Sequence, residues 1–570
     1  MNKKKEIKRA ACSKDCPGHC GLLLHCQDGE LIKVMGEPDN PGSQGLLCAK
    51  GINYPEYLNK KNRLLYPMKK VREGEKDTFK QISWEEAYQM ICEQLSHCKE
   101  RYGTESVLYY QGAGDFGMLS FEYTQGFWKQ YGPITRTSGS LCDIAGATAI
   151  RYTYGDMKQN SRDDLANAKL IIIWGKNPKF TDIHSMKWIN QALKKGAKLV
   201  VIDPRRSESA AKADMHIATR AGTDGLLALG VARLLKDRGL LNQGFLDEHV
   251  HGAEQYLEYL DSLSLEDISD RIGVSLEQMQ RLVDYIEIQP HYALVCGSGL
   301  QRYRNGGQTI RAIACLPALT GSIGMSGTGI YYSDNQSRSL TWPYTMTDEN
   351  ESGREIPIAL LASEIAIQGE PEIHFAWIEK ANPLVSNPNS ELLRRELKKI
   401  DYKVVVDLFM TDTAREADLV LPAASLFEKN DLLTSYGTGY VQLQEKVLEP
   451  IGESKDECVI YQELAERLKM DMRYLPKDFR GIVDRIIERN QLKTSYEELK
   501  DGAYWHDDYQ TIAYEDLTFK TPSGKIELYC EKLACDWQVD PLPLFEATEH
   551  EQVQESIEKY PLQLLSYHAK

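Results

Sequence analysis

Trp174-Gly175-Lys176-Asn177-Pro178, followed by Asp203, Ser207, Ser209, Ala210, Ala213 and Asp214, is one half of an internal repeat. The other half is Trp377-Ile378-Glu379-Lys380-Ala381-Asn382-Pro383, followed by Asp407, Thr411, Thr413, Ala414, Ala417 and Asp418. From tryptophan to aspartate is 29 residues in the first copy and 30 in the second. Counting the aspartate, six like positions recur at the same offsets over twelve residues, which chance does not readily produce. Leu170–Trp174 is an apolar run of strand length. Ile183–Lys195 has a helical period and is closed by Gly196, and Lys198–Asp203 is again a strand. Strand, helix and strand with short connections predict parallel βαβ units, so the chain is of the α/β class.

Each copy has the makings of a nucleotide-sized cradle. An Asn-Pro turn at a strand's carboxyl end exposes backbone N–H groups, and Ser or Thr hydroxyls at a helix start add donors. Both suit phosphates. Ligands of open α/β sheets bind at the carboxyl ends of the strands. The alternative is a duplicated fold that retains no ligand.

Outward from the repeat, Trp84–Cys98 is helical by period and Ser106–Gln111 is a short strand. Thr223 is placed to cap a helix that runs to Arg238, with Gly239 past its end. Ser275 and Gln278 form a capping box. Tyr292–Cys296 is a strand leading into Gly297-Ser298-Gly299. Residues 340–357 are polar and turn-rich, a surface excursion. From Asp456 the pattern is helical, over Cys458–Leu468 and Phe479–Arg489. Phe519–Tyr529 reads as loop into strand, and Tyr560–Tyr567 as a last strand.

The amino end carries a second signal. Cys12, Cys16 and Cys20 are spaced by three residues, and Cys48 returns after 27 more. Soft thiolates select zinc, copper(I) or iron–sulfur clusters. Zinc knuckles use separated Cys pairs, whereas three close thiols and a distant fourth fit the corners of a cubane cluster. Zinc remains the alternative. Lys50 follows Cys48 by two residues, where an ordinary solvated lysine is the plain reading.

Composition narrows the partners. The chain has 570 residues, 42% of them apolar, and a net charge of −15. That charge argues against nucleic acid. No apolar run approaches the ~20 residues of a membrane span. The basic start, Met1 to Lys8, lacks the apolar stretch of a secretory signal and the twin-arginine motif, so a cytoplasmic location is expected. Thirteen cysteines, four of them clustered, fit a reducing compartment.

Taken together, these stretches resemble the dimethyl sulfoxide reductase superfamily, the molybdenum or tungsten bis(pyranopterin guanine dinucleotide) oxidoreductases. The stretches that carry the resemblance are Cys12…Cys48-Ala49-Lys50-Gly51, Trp174–Pro178, Val201–Arg205, Arg220–Asp224, Leu319–Gly324, Ala417–Pro422 and Thr521–Leu528. The resemblance implies a [4Fe-4S] cluster on Cys12, Cys16, Cys20 and Cys48, with Lys50 on the electron path to one pterin. It implies two guanine dinucleotides around a pseudo-twofold axis. Gly175, Asn177, Asp203 and Asp224 would line one; Asn382, Asp407 and Thr411 are their counterparts by repeat logic. The family's metal often takes one side-chain ligand. Cys142 is the candidate, Ser140 a rival, and a slipped alignment would leave Gly146 or Ala147 and no ligand. Asp143 stands where formate dehydrogenases of the family place a histidine, which weakens formate oxidation as the activity.

The implied domains are 1–60 for the cluster and 61–475 for the molybdopterin body. Within that body, Rossmann-like copies lie around 150–330 and around 61–149 plus 331–475. Residues 476–570 would be a linker and the start of a C-terminal β-barrel domain that is otherwise missing. The expected partners are a small-molecule substrate and an external electron carrier or Fe–S subunit. The rival function is a non-catalytic or incomplete Fe–S electron-transfer subunit of the same fold.

Overall fold

A computed structural model describes residues 5–58, 61–74, 76–334, 336, 339–346, 353–367, 369–434, 436–546, 559–560, 562 and 564–565. The chain divides into two compact units, each built from separated stretches. One comprises Met1–Leu141, Ser337–Ser435 and Gly439–Asp507; the other comprises Cys142–Gln336, Tyr436–Thr438 and Asp508–Lys570.

The second unit holds a five-stranded, all-parallel sheet. Its order is Met215–Ile217, Lys198–Ile202, Leu170–Trp174, Ala293–Cys296, Gly329–Tyr331. The central strand LIIIW is buried at every position, as a strand covered on both faces must be. The helices Asp224–Asp237 and Gly306–Thr320 contribute to the core on one side of this sheet, and Ile183–Lys194 to the core on the other. Ser275 and Gln278 do close a capping box. Thr223 stands at its expected cap position, but its hydroxyl donates to Arg220 O at 2.7 Å and does not cap the helix.

The first unit holds an eight-stranded sheet. Six parallel strands run Glu355–Pro357, Thr135–Ser138, Val107–Gln111, Phe375–Glu379, Tyr402–Asp407, Leu419–Pro422. The hairpin Met68–Glu73 and Lys76–Gln81 adds two antiparallel strands at the far edge. Five of the parallel strands repeat the order of the other sheet. Their chain order is permuted: Val107–Gln111 and Thr135–Ser138 come before the repeat, whereas Ala293–Cys296 and Gly329–Tyr331 come after it.

The cysteine segment is a three-stranded meander, Lys5–Ala11, Gly21–Gln27 and Glu30–Gly36. Asp28 and Gly29 turn the second hairpin with φ of 53° and 86°, as a two-residue turn of this hand requires. The lead-in near Thr521 forms only the short strand Ile526–Glu527, paired in parallel with Val250–His251. Half of the expected strand Tyr560–Tyr567 falls outside the described residues. Its four described residues, Tyr560, Leu562, Leu564 and Leu565, carry no strand.

Candidate cofactor site

The two copies of the repeat match hydrogen bond for hydrogen bond. Ser209 Oγ donates to Asn177 Oδ1 at 2.7 Å, and Thr413 Oγ1 donates to Asn382 Oδ1 at 2.7 Å. The backbone N–H groups of Ser209 and Thr413 reach the same oxygens at 3.2 and 3.3 Å. Lys179 N donates to Ser209 Oγ, and Leu384 N to Thr413 Oγ1, both at 3.2 Å. Ala210 N donates to Ser207 Oγ at 3.2 Å, and Ala414 N to Thr411 Oγ1 at 3.3 Å. The hydroxyls of Ser209, Thr413 and Thr411 therefore donate inside their own loops, and that of Ser207 accepts there. Ser209 and Thr413 thus spend their O–H groups tying the Asn-Pro turn of one strand to the loop after the next rather than on a phosphate.

Strand register corrects one pairing. Trp174 lies opposite Ile202, and Glu379 lies opposite Val406. The structural partner of Trp174 is thus Glu379, not Trp377. Lys380 takes the place of Gly175, and both are left-handed, with φ of 55° and 59°.

Sequence reading missed a further match because the strands are permuted. Gly297 N donates to Trp174 O at 2.9 Å, and Gly112 N to Glu379 O at 3.0 Å. A Cβ on Gly297 would lie 1.9 Å from Gly175 O, and one on Gly112 would lie 2.5 Å from Lys380 O. Each glycine lets two loops touch at the carboxyl end of its sheet.

Asp203 and Asp224 meet in the first cradle. Asp224 is buried and accepts from Trp174 Nε1 at 2.8 Å. Burial, then the charge of Asp203, pushes its carboxyl up to about 6 against the Trp174 bond and bonds from backbone N–H groups. Asp203 is also raised by burial, although Arg205 N donates to it at 2.8 Å. Carboxylates raised by burial are favoured in their charged form by a ligand that brings further N–H groups. In the second cradle Asp407 accepts from Leu408 N, Phe409 N and Thr411 Oγ1, and burial raises it too.

Cys142 is exposed. Gln301 fixes the loop that follows it: Nε2 donates to Cys142 O at 2.7 Å, and Oε1 accepts from Gly146 N at 2.6 Å and Tyr332 Oη at 2.8 Å. Asp143 accepts from Ser333 Oγ at 2.9 Å. Cys142 and Cys296 both act electrostatically on the Tyr332 hydroxyl, so this loop lies by the carboxyl end of the strand Ala293–Cys296. Gly146 presses on Tyr332, whose hydroxyl would stand 2.3 Å from an added Cβ.

The four cysteines come together in the first unit. Cys12 and Cys20 flank a hairpin and are tied by Cys12 N to Cys20 O at 3.0 Å. Cys48 precedes the short helix Ala49–Ile52, which carries Lys50 on an exposed surface. The Cys20 thiol is pushed well above its usual range by burial, then by Cys12, Cys16 and Cys48 in turn. Three thiols in one loop and a fourth from Cys48, near enough to oppose the ionisation of Cys20, are the donor set an iron–sulfur cube needs. Among the described residues, no three His, Cys, Asp or Glu side chains converge closely enough to hold a single ion. No described helix is long and apolar enough to cross a membrane.

Comparison with known proteins agrees. A family model described as "Molybdopterin oxidoreductase" matches residues 63–467, and one described as "Molybdopterin oxidoreductase Fe4S4 domain" matches residues 6–60. The chain belongs to the molybdopterin oxidoreductase family. Among relatives of this oxidoreductase, "Probable oxidoreductase YoaE" of Bacillus subtilis is 34% identical over 558 residues, covering 93% of this chain and 79% of the relative. "Dimethyl sulfoxide reductase DmsA" of Escherichia coli is 28% identical over 656 residues, covering 98% and 79%. Acetylene hydratase from Pelobacter acetylenicus has the same fold, with a TM-score of 0.77 at 23% identity over 97% of this chain and 82% of that one. The chain is accordingly an oxidoreductase of the dimethyl sulfoxide reductase superfamily, with a molybdenum or tungsten pterin cofactor and a 4Fe-4S cluster.

Proposed function

We propose that this oxidoreductase binds its metal with two pyranopterin guanine dinucleotides and relays electrons through the cluster on Cys12, Cys16, Cys20 and Cys48. One observation carries the reading: the cradles around Asn177 and Asn382 share the same hydrogen bonds, residue for residue. Two like cradles suit two like ligands. Gly175, Asn177, Asp203 and Asp224 line the first; Asn382, Asp407 and Thr411 line the second. Asp224 accepts from the N–H groups of a guanine, which offsets the cost of burying its carboxylate. Cys142 offers its thiolate to the metal, and Gln301 holds the loop that positions it. Lys50 stands on the path between cluster and pterin. When bound, the metal supplies two-electron exchange with a small-molecule substrate. The chain excludes water, orients the cofactor and passes the electrons to an external carrier.

Anaerobically purified protein tests this by composition. Four irons, one molybdenum or tungsten and two guanine nucleotides per chain are expected. A single nucleotide per chain, with the metal in place, refutes the paired cradles.

A further inference from the structure

Lys14 lies inside the cysteine loop, two residues from Cys12, and no sequence motif marks it. Its ammonium rests over two aromatic faces, 5.2 Å from the ring centre of Tyr54 and 4.7 Å from that of Tyr57. These rings are three residues apart on the helix Tyr54–Leu58, and so share one side of it. Both are anchored. Tyr54 is fully buried, packs edge-on against Phe427 at 5.1 Å, and hydrogen-bonds Cys12 Sγ at 3.0 Å. Tyr57 packs on Phe409 at 5.3 Å and feels the charge of Asp407, so the cage reaches the second cradle. The loop itself is pinned by Phe116 N, which donates to Ser13 O at 2.7 Å. The Lys14 backbone N–H also bonds the Cys12 thiol. Among the described residues, the charges acting on the ammonium are those of Cys12, Cys48 and Lys50, with no carboxylate among them.

We propose that Lys14, held in the Tyr54–Tyr57 cage, is a positioning residue that sets the reduction potential of the cluster and is the stronger of two cations beside it. Reduction adds one electron to an already anionic group. A fixed cation close by stabilises the added charge, and more so where water is partly excluded. Lys14 is half-buried, whereas Lys50 is exposed and screened by salt. A cation on aromatic faces keeps its place without a carboxylate to cancel its charge.

The inference rests on the cluster assignment above, and the experiment separates the two. Holoprotein is titrated with a reductant while the reduced cluster is followed by electron paramagnetic resonance, for the wild type, Lys14→Gln, Lys14→Arg, Tyr57→Leu and Lys50→Gln. Lys14→Gln is expected to change the reduced-to-oxidised ratio at a fixed potential about tenfold towards oxidised, a fall of ~59 mV for one electron. Lys14→Arg keeps the wild-type value. Tyr57→Leu, which leaves the bond from Tyr54 to Cys12 intact, moves the midpoint the same way by less. Lys50→Gln moves it less than Lys14→Gln, and that difference survives high salt. Full iron content with an unshifted midpoint in both Lys14→Gln and Tyr57→Leu overturns the role of Lys14 alone. A wild-type protein with no reducible four-iron signal overturns the cluster assignment, and this inference with it.

Discussion

Replacing Asp224 by Asn tests the first cradle with two effects of opposite sign. The carboxyl is buried and titrates near 6, against 3.8 in an unfolded chain. In the fold it still holds its proton where the unfolded chain has released it. Its contribution to stability is full below pH 3.8 and is lost as the pH climbs to 6. At about 1.4 kcal/mol per unit, the loss at neutral pH is about 3 kcal/mol. Asparagine keeps an oxygen for the Trp174 Nε1 bond of 2.8 Å and carries no charge. Cofactor-free Asp224→Asn should therefore match the wild type in urea unfolding at pH 4 and exceed it by about 2–3 kcal/mol at pH 7. The loaded protein should move the other way. A guanine loses a charge-assisted acceptor, about 1.5–3 kcal/mol or roughly 10- to 100-fold in affinity. Nucleotide released by acid should fall from two per chain towards one. A variant that is less stable than the wild type at pH 7, or that keeps both nucleotides, refutes the assignment of Asp224.

Asn177→Ala and Asn382→Ala each remove the acceptor of two hydrogen bonds. Each should cost about 2 kcal/mol in denaturant unfolding, and a severalfold difference between them would argue against equivalent cradles. Arg63 and Glu428 form a buried two-pronged pair at 3.0 and 2.9 Å. Arg63→Met should destabilise by about 3–5 kcal/mol in urea, and adding Glu428→Leu should recover most of it. Cys142 is exposed, so Cys142→Ser should leave the unfolding midpoint within about 0.5 kcal/mol. The same change should remove one sulfur neighbour from the metal's X-ray absorption spectrum; an unchanged spectrum rules out Cys142 as the ligand.

What the sequence by itself determined was local. The cysteine spacing and the offsets among Asp, Ser/Thr, Ala and Asp were legible because each set acts within one loop, where chain distance and space distance nearly coincide. The parallel βαβ pattern was legible for the same reason, since period and turn residues are properties of adjacent residues. Tertiary structure decided everything that depends on strands meeting from far apart. Register made Glu379 and Lys380 the partners of Trp174 and Gly175, although tryptophan matched tryptophan in the text of the chain. Gly112 and Gly297 do one job on opposite sides of the repeat in chain order, which no constant offset could reveal. Nothing local marks Lys14, because its meaning lies in rings 40 and 43 positions away. For Ser209 and Thr413, spacing shows that a hydroxyl recurs, but only geometry shows that its O–H is already taken by an asparagine.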